Sequence, residues 1–124
     1  MTAASLDPTT TDLVSVTVSD AGPDVRVTAV GEVDSTSAPV LREHLDALLD
    51  GEVRQFTVDL SQVTFLDSAG LCVLAAAHRR AVGQDVSMRV LAASRAVIRP
   101  LQITGLWELL HAERVHDAAS SMPA

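Results

Sequence analysis

Four stretches of this chain change polarity at nearly every residue, and that period of two is the strongest restriction on what it can fold into. Val14, Val16 and Val18 interleave with Ser15, Thr17 and Ser19, while Val25, Val27 and Ala29 interleave with Arg26 and Thr28 and meet one apolar exception, Val30. Phe56, Val58 and Leu60 interleave with Thr57, Asp59 and Ser61; Met88, Val90 and Ala92 interleave with Ser87 and Arg89, with Leu91 as the second exception. Successive side chains of a strand point to opposite faces, so each stretch reads as a strand with one face buried. The turn residues DAGPD, at positions 20–24, join the first two into an antiparallel hairpin.

The intervals carry helical spacing instead. Leu41, Leu45, Leu48 and Leu49 form one stripe of a helix that begins near Ala38 and ends at Gly51. Pro39 fits its first turn, where amide groups have no intrahelical partner. A second helix is predicted from Ser68 to about Val82, closed by Gly83, with Leu71, Leu74, Ala75 and Val82 inward. Cys72 is expected inside it as a small buried hydrophobe, and Gly70 as a point of close backbone packing or partner approach. A third helix starts near Ser94, uses Val97, Ile98 and Leu101, and stops at Gly105; Pro100 inside it predicts a kink or a short helix. Beyond it, Trp107 is expected to be a packing element.

The order ββαβαβα makes this an α/β chain with a four-stranded mixed sheet. The last three strands run parallel through right-handed crossovers, and the helices lie mainly on one face. Doubly covered strands read as continuous apolar runs, so alternation leaves the polar face to solvent, a tail or a partner.

At 124 residues and 48% hydrophobic, the chain is expected to form one domain over 13–116, with loose tails at 1–12 and 117–124. Aromatic residues make up 2% and the net charge is -7, which opposes base stacking, phosphate-backbone binding and anionic lipid. All nine cations are arginines, which removes every mechanism that needs a lysine. One cysteine, an N-terminus without a basic start or apolar stretch, and no spanning apolar run predict a cytoplasmic protein without membrane insertion.

In a sheet of this kind the loops leaving the carboxyl ends of the parallel strands share one edge, where sites form. These loops, 31–37, 62–68 and 93–96, would gather Asp34, Ser35, Thr36, Asp67, Ser68, Ser94 and Arg95. LDSAG has the serine, spacer and glycine of a nucleophile elbow, yet Leu66 stands where the elbow needs its first glycine. His78 lies ten residues along the same helix from Ser68, a rise of roughly 15 Å, too far to activate it. His44 falls on the body of the first helix, and the five-residue spacing of His111 and His116 does not align them for a metal. The six glycines lack any phosphate-cradling spacing. Asp59 lacks the acidic pair and lysine of a phosphate-accepting site, so it is read as structural. No catalytic residue, metal or cofactor is expected. Asp67 and Ser68 are both candidate caps of the second helix, and the other role open to Ser68 is that of a hydroxyl presented to a kinase.

The segments GEVDSTSAPVLREHLDALL, FTVDLSQVTFLDSAGLCVLAAAHRRA and RPLQITGLWELL together resemble the STAS domain of bacterial anti-sigma factor antagonists, over residues 13 to about 111. The resemblance implies a partner switch rather than an enzyme. An unphosphorylated antagonist binds an anti-sigma factor that is also a serine kinase and frees a sigma factor; phosphorylation releases it, and a serine phosphatase resets it. It implies Ser68 of LDSAGL as phosphoacceptor, Asp67 as the acid before it, and Asp34 of GEVD as an acid near the kinase. The partner-facing set expected on this basis is Asp34, Ser35, Thr36, Asp67, Ser68, Ala69, Gly70, Leu71 and Arg95, on a chain that is monomeric when free. Ala69 replaces a second hydroxyl residue common in the family, Cys72 a frequent glycine, and Pro100 interrupts the third helix. The alternatives are a STAS regulatory subunit of a transporter or stress-signalling complex and, from another class, a small serine hydrolase.

Overall fold

The computed structural model of the chain describes residues 14–21 and 24–115, so both expected tails and the centre of the expected turn lie outside the described residues. The elements are β1 (Val14–Ala21), β2 (Asp24–Val33), α1 (Ala38–Asp50), β3 (Gln55–Leu66), α2 (Ser68–Gly83), β4 (Ser87–Ala92), α3 (Arg95–Ile103), α4 (Leu106–Leu109) and β5 (Ala112–Arg114). They build one five-stranded sheet in the order β1-β2-β3-β4-β5. β1 pairs antiparallel with β2, and β2, β3, β4 and β5 are mutually parallel neighbours. The fifth strand corrects the expected four. Its three residues are too few to show an alternation, and it forms because parallel pairing with Val90 to Ala92 satisfies its backbone.

Register carries the alternation across the sheet. Val18, Val27, Val58, Val90 and Ala112 form one cross-strand row, and the next row, Thr17, Thr28, Asp59, Leu91 and Glu113, belongs to the other face. Buried stripes of three helices join the first face in a single core: Leu41, Leu45 and Leu49 of α1; Leu74, Ala77 and Ala81 of α2; Val97, Ile98 and Leu101 of α3. On the polar face Asp59 is held by the amide of Ser61 at 2.9 Å and by Arg26 at 3.4 Å, a structural role.

Two features of β3 depart from expectation. The strand runs to Leu66 instead of stopping near Ser61, because its register against β2 shifts between Thr28 and Val30 and again between Gly31 and Glu32. Each shift gives β3 an extra residue and reverses which face the next side chain meets, so Val58, Leu60, Val63 and Leu66 are all buried although they no longer alternate. The two expected loops shrink accordingly, to 34–37 and to Asp67 alone.

α2 corrects a second expectation. Its buried residues are Gly70, Leu74, Ala77 and Ala81, whereas Leu71 and Ala75 are half-buried and Val82 is 64% exposed. A helix lying close against its neighbours buries small residues, and Val82 follows Ala81 by one position, turned about 100° away. Cys72 is likewise exposed, two positions from both Gly70 and Leu74 and hence on the outer side. α3 is short, nine residues, with Pro100 inside it, and Trp107 in the following α4 is half-buried against the core.

Candidate functional site

Asp67 separates β3 from α2 and serves as the cap of that helix. Its extended backbone lets the carboxylate turn back on the first turn, where Oδ1 accepts the amides of Ala69 at 2.9 Å and Gly70 at 3.3 Å. Its own amide donates to the carbonyl of Val33 at 3.1 Å, which ties the helix start to the end of β2. The capping role that sequence left open between Asp67 and Ser68 therefore falls to Asp67. Ser68 is the first helical residue, exposed, and its hydroxyl has no hydrogen-bond partner among the described residues.

The loop after β2 is organised by an acid in a different way. Oδ1 of Asp34 accepts the amide and hydroxyl of Thr36, at 2.9 and 2.8 Å, and the amide of Ser37 at 3.1 Å. These donors, the Thr36 hydroxyl foremost, hold the Asp34 carboxyl below its ordinary range against a weaker opposing effect of desolvation. Ser37 is 0% exposed: its hydroxyl donates to the Glu32 carbonyl at 2.7 Å and accepts the Asp34 amide at 2.9 Å. Ser35 and Thr36 are left exposed at the tip.

The remaining expected residues divide. Ala69 and Leu71 are half-buried beside Ser68, and Gly70 is buried. A Cβ on Gly70 would collide with Leu66 Cδ1 and come within 2.9 Å of Val33 Cγ1. This glycine consequently lets α2 pack close against Leu66 and Val33. Arg95 opens α3, exposed, after Ser94, whose hydroxyl holds the Val63 carbonyl at 3.1 Å. Arg95 also lines an open groove of about 520 Å³ with Phe65, Leu66, Arg99, Pro100 and Ile103. Phe65 and Ser37 were missed by sequence reasoning. The signal for Phe65 was a ring out of phase with the strand; for Ser37 it was a serine three residues after an acid.

Among the described residues, no group of three or more His, Cys, Asp or Glu side chains is placed to hold a metal, and no helix is long and apolar enough to cross a membrane. His44 uses its ring nitrogen Nδ1 on the carbonyl of Val40 at 2.8 Å.

The family model described as Mlab, STAS domain matches residues 16–120. Over 112 residues the chain is 31% identical to the anti-sigma-F factor antagonist RsfB of Mycobacterium tuberculosis, covering 90% of this chain and 91% of that one. It is 33% identical to the anti-sigma-B factor antagonist of Bacillus subtilis over 97 residues, 78% of this chain and 88% of the relative. A crystal structure of an anti-sigma factor antagonist from Mycobacterium paratuberculosis superposes with a TM-score of 0.79 at 30% identity, covering 90% of this chain and 95% of that one.

Proposed function

The chain belongs to the STAS-domain family of anti-sigma factor antagonists, and from that premise we propose that it is a phosphorylation-controlled partner switch with Ser68 as the acceptor. Unphosphorylated, it binds an anti-sigma factor through the edge formed by Asp34 to Thr36, Asp67 to Leu71 and Arg95, and so frees a sigma factor. The anti-sigma factor, acting as a serine kinase, then transfers a phosphoryl group to the Ser68 hydroxyl and releases the chain, which a serine phosphatase restores. The chain is a monomeric cytoplasmic binding module in this scheme and performs no catalysis.

The observation that carries the proposal is the exposed, unpartnered hydroxyl of Ser68 on a helix whose first turn is already capped by Asp67. Because capping does not depend on Ser68, modification leaves the helix start intact. The amides of Ala69 and Gly70 are occupied, so a phosphate gains no seat among them and stands beside the Asp67 carboxylate. Its charge of about -1.5 to -2 is then met by the partner, and a dianion without a cation in a closed interface is costly. Ala69 leaves Ser68 as the sole hydroxyl of the motif.

Incubation with the anti-sigma factor of its own host and ATP tests the switch. One phosphate on Ser68 is expected; Ser68→Ala binds without being labelled, and Ser68→Glu binds at least about thirtyfold more weakly, the equivalent of ~2 kcal/mol. Equal affinities for the alanine and glutamate variants would sink the switch. Absence of both binding and labelling would favour a STAS subunit of some other complex.

A further inference from the structure

We infer that Asp34 and Ser37 are positioning residues for the partner, holding the Ser35–Thr36 tip in one conformation, and that Asp34 acts through its hydrogen bonds and not through its negative charge. The inference rests on the binding function proposed above. Oδ1 of Asp34 is already engaged inside the loop by three donors of Thr36 and Ser37. Ser37 is fully buried and out of a partner's reach, yet its hydroxyl links the Asp34 amide to the Glu32 carbonyl, at 2.9 and 2.7 Å. The backbone closes the same loop, since the Asp34 carbonyl accepts the amides of Ser37 at 3.2 Å and Ala38 at 2.7 Å.

Position makes this clasp matter. Val33, the residue before Asp34, gives its carbonyl to the Asp67 amide and faces Gly70, so the loop leaves the sheet against the turn that carries Ser68. A tip fixed before encounter loses little conformational entropy when it is bound, whereas a loose one must be ordered at the partner's expense. Asparagine keeps an oxygen where Oδ1 stands and lacks the charge, so it separates the two ways in which Asp34 could act.

The experiment is a calorimetric titration of the anti-sigma factor with the wild-type chain, Asp34→Asn, Asp34→Ala and Ser37→Ala, each checked for a cooperative thermal transition. Asp34→Asn is expected within about threefold of wild type, while Asp34→Ala and Ser37→Ala lose about tenfold or more because the tip is no longer ordered in advance. Asp34→Asn as weak as Asp34→Ala would overturn the inference in favour of a direct charge contact. Wild-type affinity in both alanine variants would overturn it too. If Ser37→Ala does not fold, the two Asp34 variants still decide. Failure of the wild-type chain to bind would instead overturn the proposed function, and this inference with it.

Discussion

Ser37 and Ser68 each stand at the start of a helix with an acid close before them, and the structure gives them opposite fates. Ser37 is sealed in, 0% exposed, its hydroxyl bonded on both sides; Ser68 is exposed with a free hydroxyl. Spacing makes the difference. Asp67 directly precedes Ser68 and reaches over it to the amides of Ala69 and Gly70, which leaves the serine nothing to cap. Asp34 lies three residues before Ser37 and must be folded back to it through a turn, and the serine is the pin of that turn. A hydroxyl becomes available for chemistry here because a neighbour has relieved it of structural duty.

Alanine at the two positions gives the widest expected separation. Ser37→Ala strands the Asp34 amide and the Glu32 carbonyl and should lower unfolding free energy by about 2 kcal/mol. Ser68→Ala should stay within about 0.5 kcal/mol of wild type. Matched losses in urea denaturation would break the contrast. Asp67→Ala comes next: removing the cap should reduce stability by ~1 kcal/mol and raise amide exchange at Ala69 and Gly70, whereas unchanged exchange would mean that another group caps α2.

The smallest effect concerns acid. The Asp34 carboxyl is held below its ordinary range chiefly by the Thr36 hydroxyl, so its contribution is complete above the ordinary aspartate value of about 3.9 and is lost as pH falls through the depressed folded value. A carboxyl-detected NMR titration should place the Asp34 midpoint under that value, with the Thr36 amide following the same curve. A midpoint at or above it would show that the clasp does not form in solution.

Much of this was legible in the sequence because it depends on local rules. Alternating valines marked the buried face of the sheet, Leu41, Leu45 and Leu49 marked the buried stripe of α1, and LDSAGL marked the start of α2. The missing parts depend on tertiary context. Val63 and Leu66 could not be assigned by alternation because register shifts reverse the faces between them. Gly70, Ala77 and Ala81 give a weaker hydropathy signal than the larger residues of α2, and only the neighbours of a helix decide how near it lies. Ser37 was overlooked because a buried hydroxyl has no hydropathy signal; its importance lies in its bonds to Asp34 and Glu32.

The two register shifts also give β3 slack. At each one β2 keeps its alternation while β3 takes up an extra residue, so that Leu66 still ends opposite Val33, facing inward like Leu60. Loss of one extra residue at a shift straightens the pairing and leaves the later positions on their faces. Ser68 inherits this tolerance, because its place is set by the pairing of Leu66 and not by the number of residues before it.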